Sequence, residues 1–128
     1  MNIKNLDSVA FLIGRSFLGI YFLLPGISKI FGYSDTLSLM VSKGVPFASI
    51  ALPIVIILQV GLGVSIIANK YLRESALILF GLTVLINIYI HNFWDLSSDP
   101  SFAHELQNFV KNTAIAAGLL VLSTKDKS

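Results

Sequence analysis

The chain has 128 residues, 55% of them hydrophobic and only 12% charged, with a formal net charge of +2. A soluble domain carries about 25% charged residues, so this deficit, with a mean hydropathy of +0.80, excludes a water-facing surface all round and implies a membrane protein. The basic residues lie in scattered ones and twos, without the stripe or stacking platform that nucleic acid needs, and the absence of cysteine excludes disulfides, thiolate metal sites and iron–sulfur clusters.

The expected organisation is all-α, a four-helix transmembrane bundle forming one domain over residues 1–128. A bilayer core of about 30 Å needs roughly 20 helical residues, and four stretches meet that length. The first covers about 9–31, "VAFLIGRSFLGIYFLLPGISKIF", with Asp7 or Ser8 as its N-terminal cap. Lys4 ahead of it resembles the charged start of a signal peptide. However, Arg15 interrupts the apolar run and no small-x-small cleavage site follows, so a retained helix is expected. The second covers about 48–68, with Pro46 just before it, where a missing N–H does little harm. "NKYLRE" is a short charged turn into the third, about 75–93. "DLSSDPS" reads as a loop ahead of the fourth, about 105–123, which is the least hydrophobic. Pro25 and Pro53 lie inside spans, where they kink or loosen a helix. The interior glycines let helix backbones approach in a bilayer.

Lys and Arg counts give the direction. With four spans, Lys4, Lys70, Arg73, Lys125 and Lys127 share one side and Lys43 lies on the other, with Lys29 near that boundary. Both termini are therefore expected in the cytoplasm.

Polar residues inside the spans form the candidate site. Asn87, His91 and Trp94 share a helical face, as do Asn108, Lys111, Asn112 and Ile115. So do Arg15, Gly19, Phe22, Gly26 and Lys29, and the pair Gln59 and Gly63. Depth along the spans allows one cluster of Lys29, Gln59, Asn87, His91, Lys111 and Asn112, open toward the outer side, with Arg15 alone in the cytoplasmic half. A Lys or Arg at mid-helix costs about 2.5–3.5 kcal/mol on insertion scales. No acidic residue is well inside a span. Lys111 is then neutral, or a loop carboxylate folds in, or a hydrogen-bond acceptor occupies the site. The plainer readings are helix–helix glue for Asn87, Asn112 and Gln59, snorkelling for Lys29, an interface anchor for Trp94 and a paired or headgroup-facing role for Arg15. No catalytic residue stands out. Two histidines without an acidic cluster do not make a metal site, which generally takes three or four ligands.

"GRSFLGIYFLLPGISKIFGY", "HNFW" and "QNFVKNTAIAAGLL" closely resemble the DoxX family of small membrane proteins, from about Ile13 to Leu122. The resemblance implies a four-helix membrane bundle. It also implies a link to redox complexes, since the family takes its name from a subunit of a membrane-bound thiosulfate:quinone oxidoreductase. The family pattern usually has Glu in the second helix, where this chain reads "LQVGLG" with Gln59. A carboxylate there would pair with Lys111 and Arg15, whereas Gln59 can only hydrogen-bond.

Three functions follow as expectations. The first is a quinone- or small-ligand-binding accessory subunit of a membrane redox complex, with Lys111, His91 and Asn112 donating to quinone carbonyls. Such a subunit holds no covalent cofactor, is not an enzyme on its own and needs a protein partner to carry electrons. The second is a non-catalytic anchor or assembly protein whose polar cluster is structural. The third, a small transporter, ranks last, because four helices without a repeat offer little for alternating access unless the chain dimerises. The glycine-rich faces allow a homo-oligomer within the lipid bilayer.

Overall fold

The computed structural model describes residues 3–92, 94 and 99–125. These form five helices: α1 (Ile3–Phe31), α2 (Tyr33–Ser42), α3 (Ala48–Ala68), α4 (Leu72–Tyr89) and α5 (Phe102–Leu122). Three of them, α1, α3 and α4, are long and apolar enough to cross a membrane. α5 has the same length as α3, but His104, Glu105 and Lys111 make it more polar. Most of the "DLSSDPS" loop, the end of the third expected span at Phe93, and Lys127 lie outside the described residues.

Helix α1 begins well before Asp7. Ser8 does not cap it; its hydroxyl donates back to the Lys4 carbonyl at 3.0 Å, one turn earlier inside the helix. A serine hydroxyl can satisfy itself this way in mid-helix. Helix α2 occupies the stretch between the first two expected spans, to which the sequence pattern assigns no element. Gly32 and Gly44 bracket it, Asp35 lies in its first turn, and Leu37 and Met40 recur three apart toward the interior. Helix α3 ends in a left-handed Asn69, with Lys70 N–H donating to Ser65 O and Asn69 N–H to Ile66 O. This pattern closes off carbonyls that a helix end leaves unpaired. Before α5, Asp99 Oδ1 accepts from Ser101 N–H at 2.9 Å and from Ser101 Oγ at 2.8 Å. Those two bonds hold the Asp99 carboxyl below its ordinary range.

Packing is pairwise. α1 lies most extensively on α3 and α4 on α5, with α3 against α4 joining the two pairs and α2 resting mainly on α3. Phe22, Ile66, Leu79, Leu82 and Leu119 form the main core. Met40, Ala48 and Leu52 form a smaller one under α2. The outer faces are apolar, with Phe17, Ile57 and Val110 largely exposed, as expected of helices solvated by lipid tails rather than water.

The α1–α3 crossing depends on glycine. A Cβ at Gly19 would lie 2.7 Å from Gly63 O, and one at Gly63 would lie 2.9 Å from Gly19 O. The buried face of α1 is Arg15, Gly19, Phe22 and Gly26, four of the five residues that helical spacing groups together.

Candidate functional site

The C-terminal half of α1, the middle of α2, the first half of α3 and the end of α4 line an open cavity of about 640 Å³. Its walls are mostly apolar, including Pro25, Met40, Val55, Leu82 and Ile86, and Ser28, Thr36, Lys29 and His91 bring polar groups to it. α2 therefore forms one side of the cavity. The half-buried Lys29 makes no hydrogen bond or ion pair with any described residue.

Beside this cavity lies a polar junction of three elements. Glu105 Oε2, on α5, is 3.4 Å from His91 Nδ1 and 3.8 Å from Lys43 Nζ. Lys43, just after α2, donates to Asn92 Oδ1 at 3.0 Å, and Asn108 Nδ2 donates to Glu105 Oε1 at 3.4 Å. All three charged partners are mostly buried, with side-chain exposures of 13–19%. Burial holds the His91 imidazole below its ordinary pKa, while Glu105 pulls it the other way. His91 thus links the cavity wall to a carboxylate. That carboxylate comes from the first turn of α5, where the helix dipole favours negative charge.

The remaining residues expected at the site lie elsewhere. Asn87, buried on α4, donates from Nδ2 to Phe109 O and to Thr113 Oγ1, both at 3.2 Å. Asn112, buried on α5, accepts from Tyr21 Oη at 2.6 Å. These residues join α4 and α1 to α5. Lys111 is exposed, with its Nζ 5.9 Å from the Tyr21 ring centroid, and it does not line the cavity. Gln59 is buried against α1 beside Gly26, and its Oε1 has no partner among the described residues. Arg15 lies toward the other end of α1, with Nη2 donating to Ile67 O at 3.4 Å. Among the described residues no three His, Asp or Glu converge as a metal site.

Sequence reasoning missed Glu105, Lys43 and Asn92 as a group, and Tyr21 as the partner of Asn112. Glu105 carried a signal, since it is the acidic residue nearest the start of the fourth span and faces a histidine at the end of the third. Tyr21 carried only its hydroxyl in an apolar run, which buried tyrosines satisfy with a partner.

The DoxX family model matches residues 10–92. The chain belongs to the DoxX family. The inner membrane protein YqjF of Escherichia coli (strain K12) is 34% identical over 122 residues, covering 94% of this chain and 86% of that protein. The inner membrane protein YphA of the same organism is 28% identical over 115 residues, covering 90% and 81%. No solved structure matches. With three helices apolar enough to span and relatives of this kind, this DoxX member is a multi-pass protein of the cell membrane. The match includes Lys29, Gln59, Asn87 and His91 and stops before Glu105 and Lys111.

Proposed function

We propose that this DoxX-family chain is a non-catalytic, ligand-binding subunit of a membrane redox complex. In this reading it holds a lipophilic hydrogen-bond acceptor, a quinone by chemistry, in the cavity beside α2. The observation that carries the reading is Lys29, an ammonium without a partner among the described residues on the wall of a mostly apolar cavity. Small-molecule sites typically enclose about 300–1,000 Å³ and combine apolar walls with a few polar groups. A quinone ring suits such walls, and its carbonyls accept from Lys29 and His91. Glu105 behind His91 favours the protonated imidazole, so His91 could give a proton to a quinone oxygen as the ring is reduced by electrons from a partner, and be reprotonated from solvent. Electrons would come from a partner protein, because the chain has no cysteine to hold a cluster.

In this reading α5 is a fourth span, packed along α4, and both termini face the cytoplasm. The charge count supports that direction, since Lys4, Lys70, Arg73 and Lys125 outnumber Lys43 across the bundle. The chain lacks native thiols, so single cysteines placed at Lys70 and at Lys43 report sidedness without background. Labelling of the Lys43 position from outside intact cells, and of the Lys70 position only after lysis, is the expected result.

Thermal unfolding of the purified protein in detergent, titrated with a short-tailed quinone, tests the ligand. Wild type should be stabilised in a saturable way, and Lys29→Met should weaken binding at least tenfold while folding normally. A shift that is absent in wild type, or unchanged in Lys29→Met, would count against this cavity as the quinone site.

A further inference from the structure

At the opposite ends of α1 and α4 a second cavity, of about 550 Å³, is lined by Arg15, Arg73, Lys125, Asp7, Glu74 and Phe11. Arg15 is only 9% exposed. One of its nitrogens meets the last turn of α3 through a long bond to Ile67 O. Its guanidinium carbon is 4.9 Å from the Phe11 ring centroid. Its Nε is buried without a partner, and no carboxylate among the described residues is within ion-pairing distance of it. A buried charge normally finds a counter-ion, because desolvating it alone is costly. Lys125 Nζ is 4.8 Å from the same Phe11 ring, so a second cation is held at the cavity. Helix α4 also begins here. Its cap residue Tyr71 makes no side-chain cap bond, so the first-turn amides of Leu72, Arg73 and Glu74 lack a capping side chain. An uncapped helix start favours an anion.

We propose that this cavity binds a phosphate ester bearing an ammonium group. The three cations and the α4 amides would hold the phosphate. The two carboxylates, Asp7 and Glu74, would repel a bare anion but would receive the ammonium. Such a group is the headgroup of an aminophospholipid or a free phosphoryl-amine, and the two sources share one chemistry. The cavity lies at one end of the apolar helices, where headgroups meet a membrane protein.

Native mass spectrometry of the full chain in detergent tests this, with added phosphatidylethanolamine, phosphatidylglycerol or phosphoethanolamine. The expected result is one phosphatidylethanolamine per chain, retained at least tenfold better than phosphatidylglycerol. Arg73→Gln combined with Lys125→Gln should lower retention at least tenfold. Both side chains are exposed, so the fold should survive. Asp7→Asn combined with Glu74→Gln should erase the preference for the ammonium. Arg15→Lys, which keeps the charge, should bind better than Arg15→Gln. Binding of soluble phosphoethanolamine with the same variant pattern, without lipid retention, assigns the site to a free ester. Equal retention in wild type and the Arg73, Lys125 double variant overturns the site. Equal retention of the two lipids by wild type overturns the ammonium assignment.

Discussion

Where α1 crosses α3 the backbones nearly touch, and Gly19 and Gly63 leave no room for a Cβ on either side. Where α4 and α1 meet α5 the contact runs through side chains, with Asn87 reaching Phe109 O and Thr113 and Tyr21 reaching Asn112. Both seams contain a buried amide, yet the two amides differ. Asn87 donates across its seam. Both side-chain oxygens are unpartnered among the described residues, but Gln59 forms no hydrogen bond at all with any of them. In a bilayer, helices gain little from hydrophobicity and associate through close packing or through polar contacts. This chain relies mainly on close packing in one pair and on polar contacts in the other. The cavity opens at one end of the bundle, beside the glycine seam, and α2 forms its wall.

Substitutions should separate the two seams. The largest effect is expected for Gly63→Ala, which forces a Cβ against the Gly19 carbonyl and should cost about 1–3 kcal/mol, read as a lowered unfolding temperature in detergent. Glu105→Gln should follow at about 2 kcal/mol, since it removes the carboxylate charge that lies between His91 and Lys43. Asn87→Leu should cost about 1 kcal/mol, in the range for interhelical hydrogen bonds in membranes. Gln59→Leu, by contrast, should be neutral or stabilise by up to about 1 kcal/mol, because it removes a buried amide that makes no hydrogen bond across its seam. If Gln59→Leu destabilised as much as Asn87→Leu, the distinction between the seams would fail.

A pH series sharpens the polar junction. Burial keeps the folded His91 imidazole below its ordinary pKa, so the unfolded chain binds that proton more readily. Stability should therefore be full above about pH 6.5 and decline as pH falls below it. His91→Asn should flatten that decline. A wild-type profile that rises on acidification would mean that the Glu105 pairing outweighs burial.

Much of the fold was legible in the residues. Apolar runs located α1, α3, α4 and α5 to within a few residues at most ends, and three- and four-residue spacing grouped Arg15, Gly19, Phe22 and Gly26 on one buried face. Helix α2 was hidden because ten residues of modest hydropathy look like a loop unless the bracketing Gly32 and Gly44 are weighed with Leu37 and Met40. The site was only partly legible. Periodicity assigns residues to a face of their own helix, but the rotation of one helix against the next decides which faces meet. Lys29 and His91 thus reach one cavity, Asn87 and Asn112 reach the α5 seam, and Lys111 stays exposed beside Tyr21. In the proposed function, the chemistry expected of Lys111 moves to Lys29.

That shift gives the most direct test. Native mass spectrometry on protein gently extracted from its own membranes should show a bound quinone mass in wild type and in Lys111→Met, and none in Lys29→Met. A bare wild-type protein, or a quinone lost from Lys111→Met but kept by Lys29→Met, would contradict the cavity beside α2 as the ligand site.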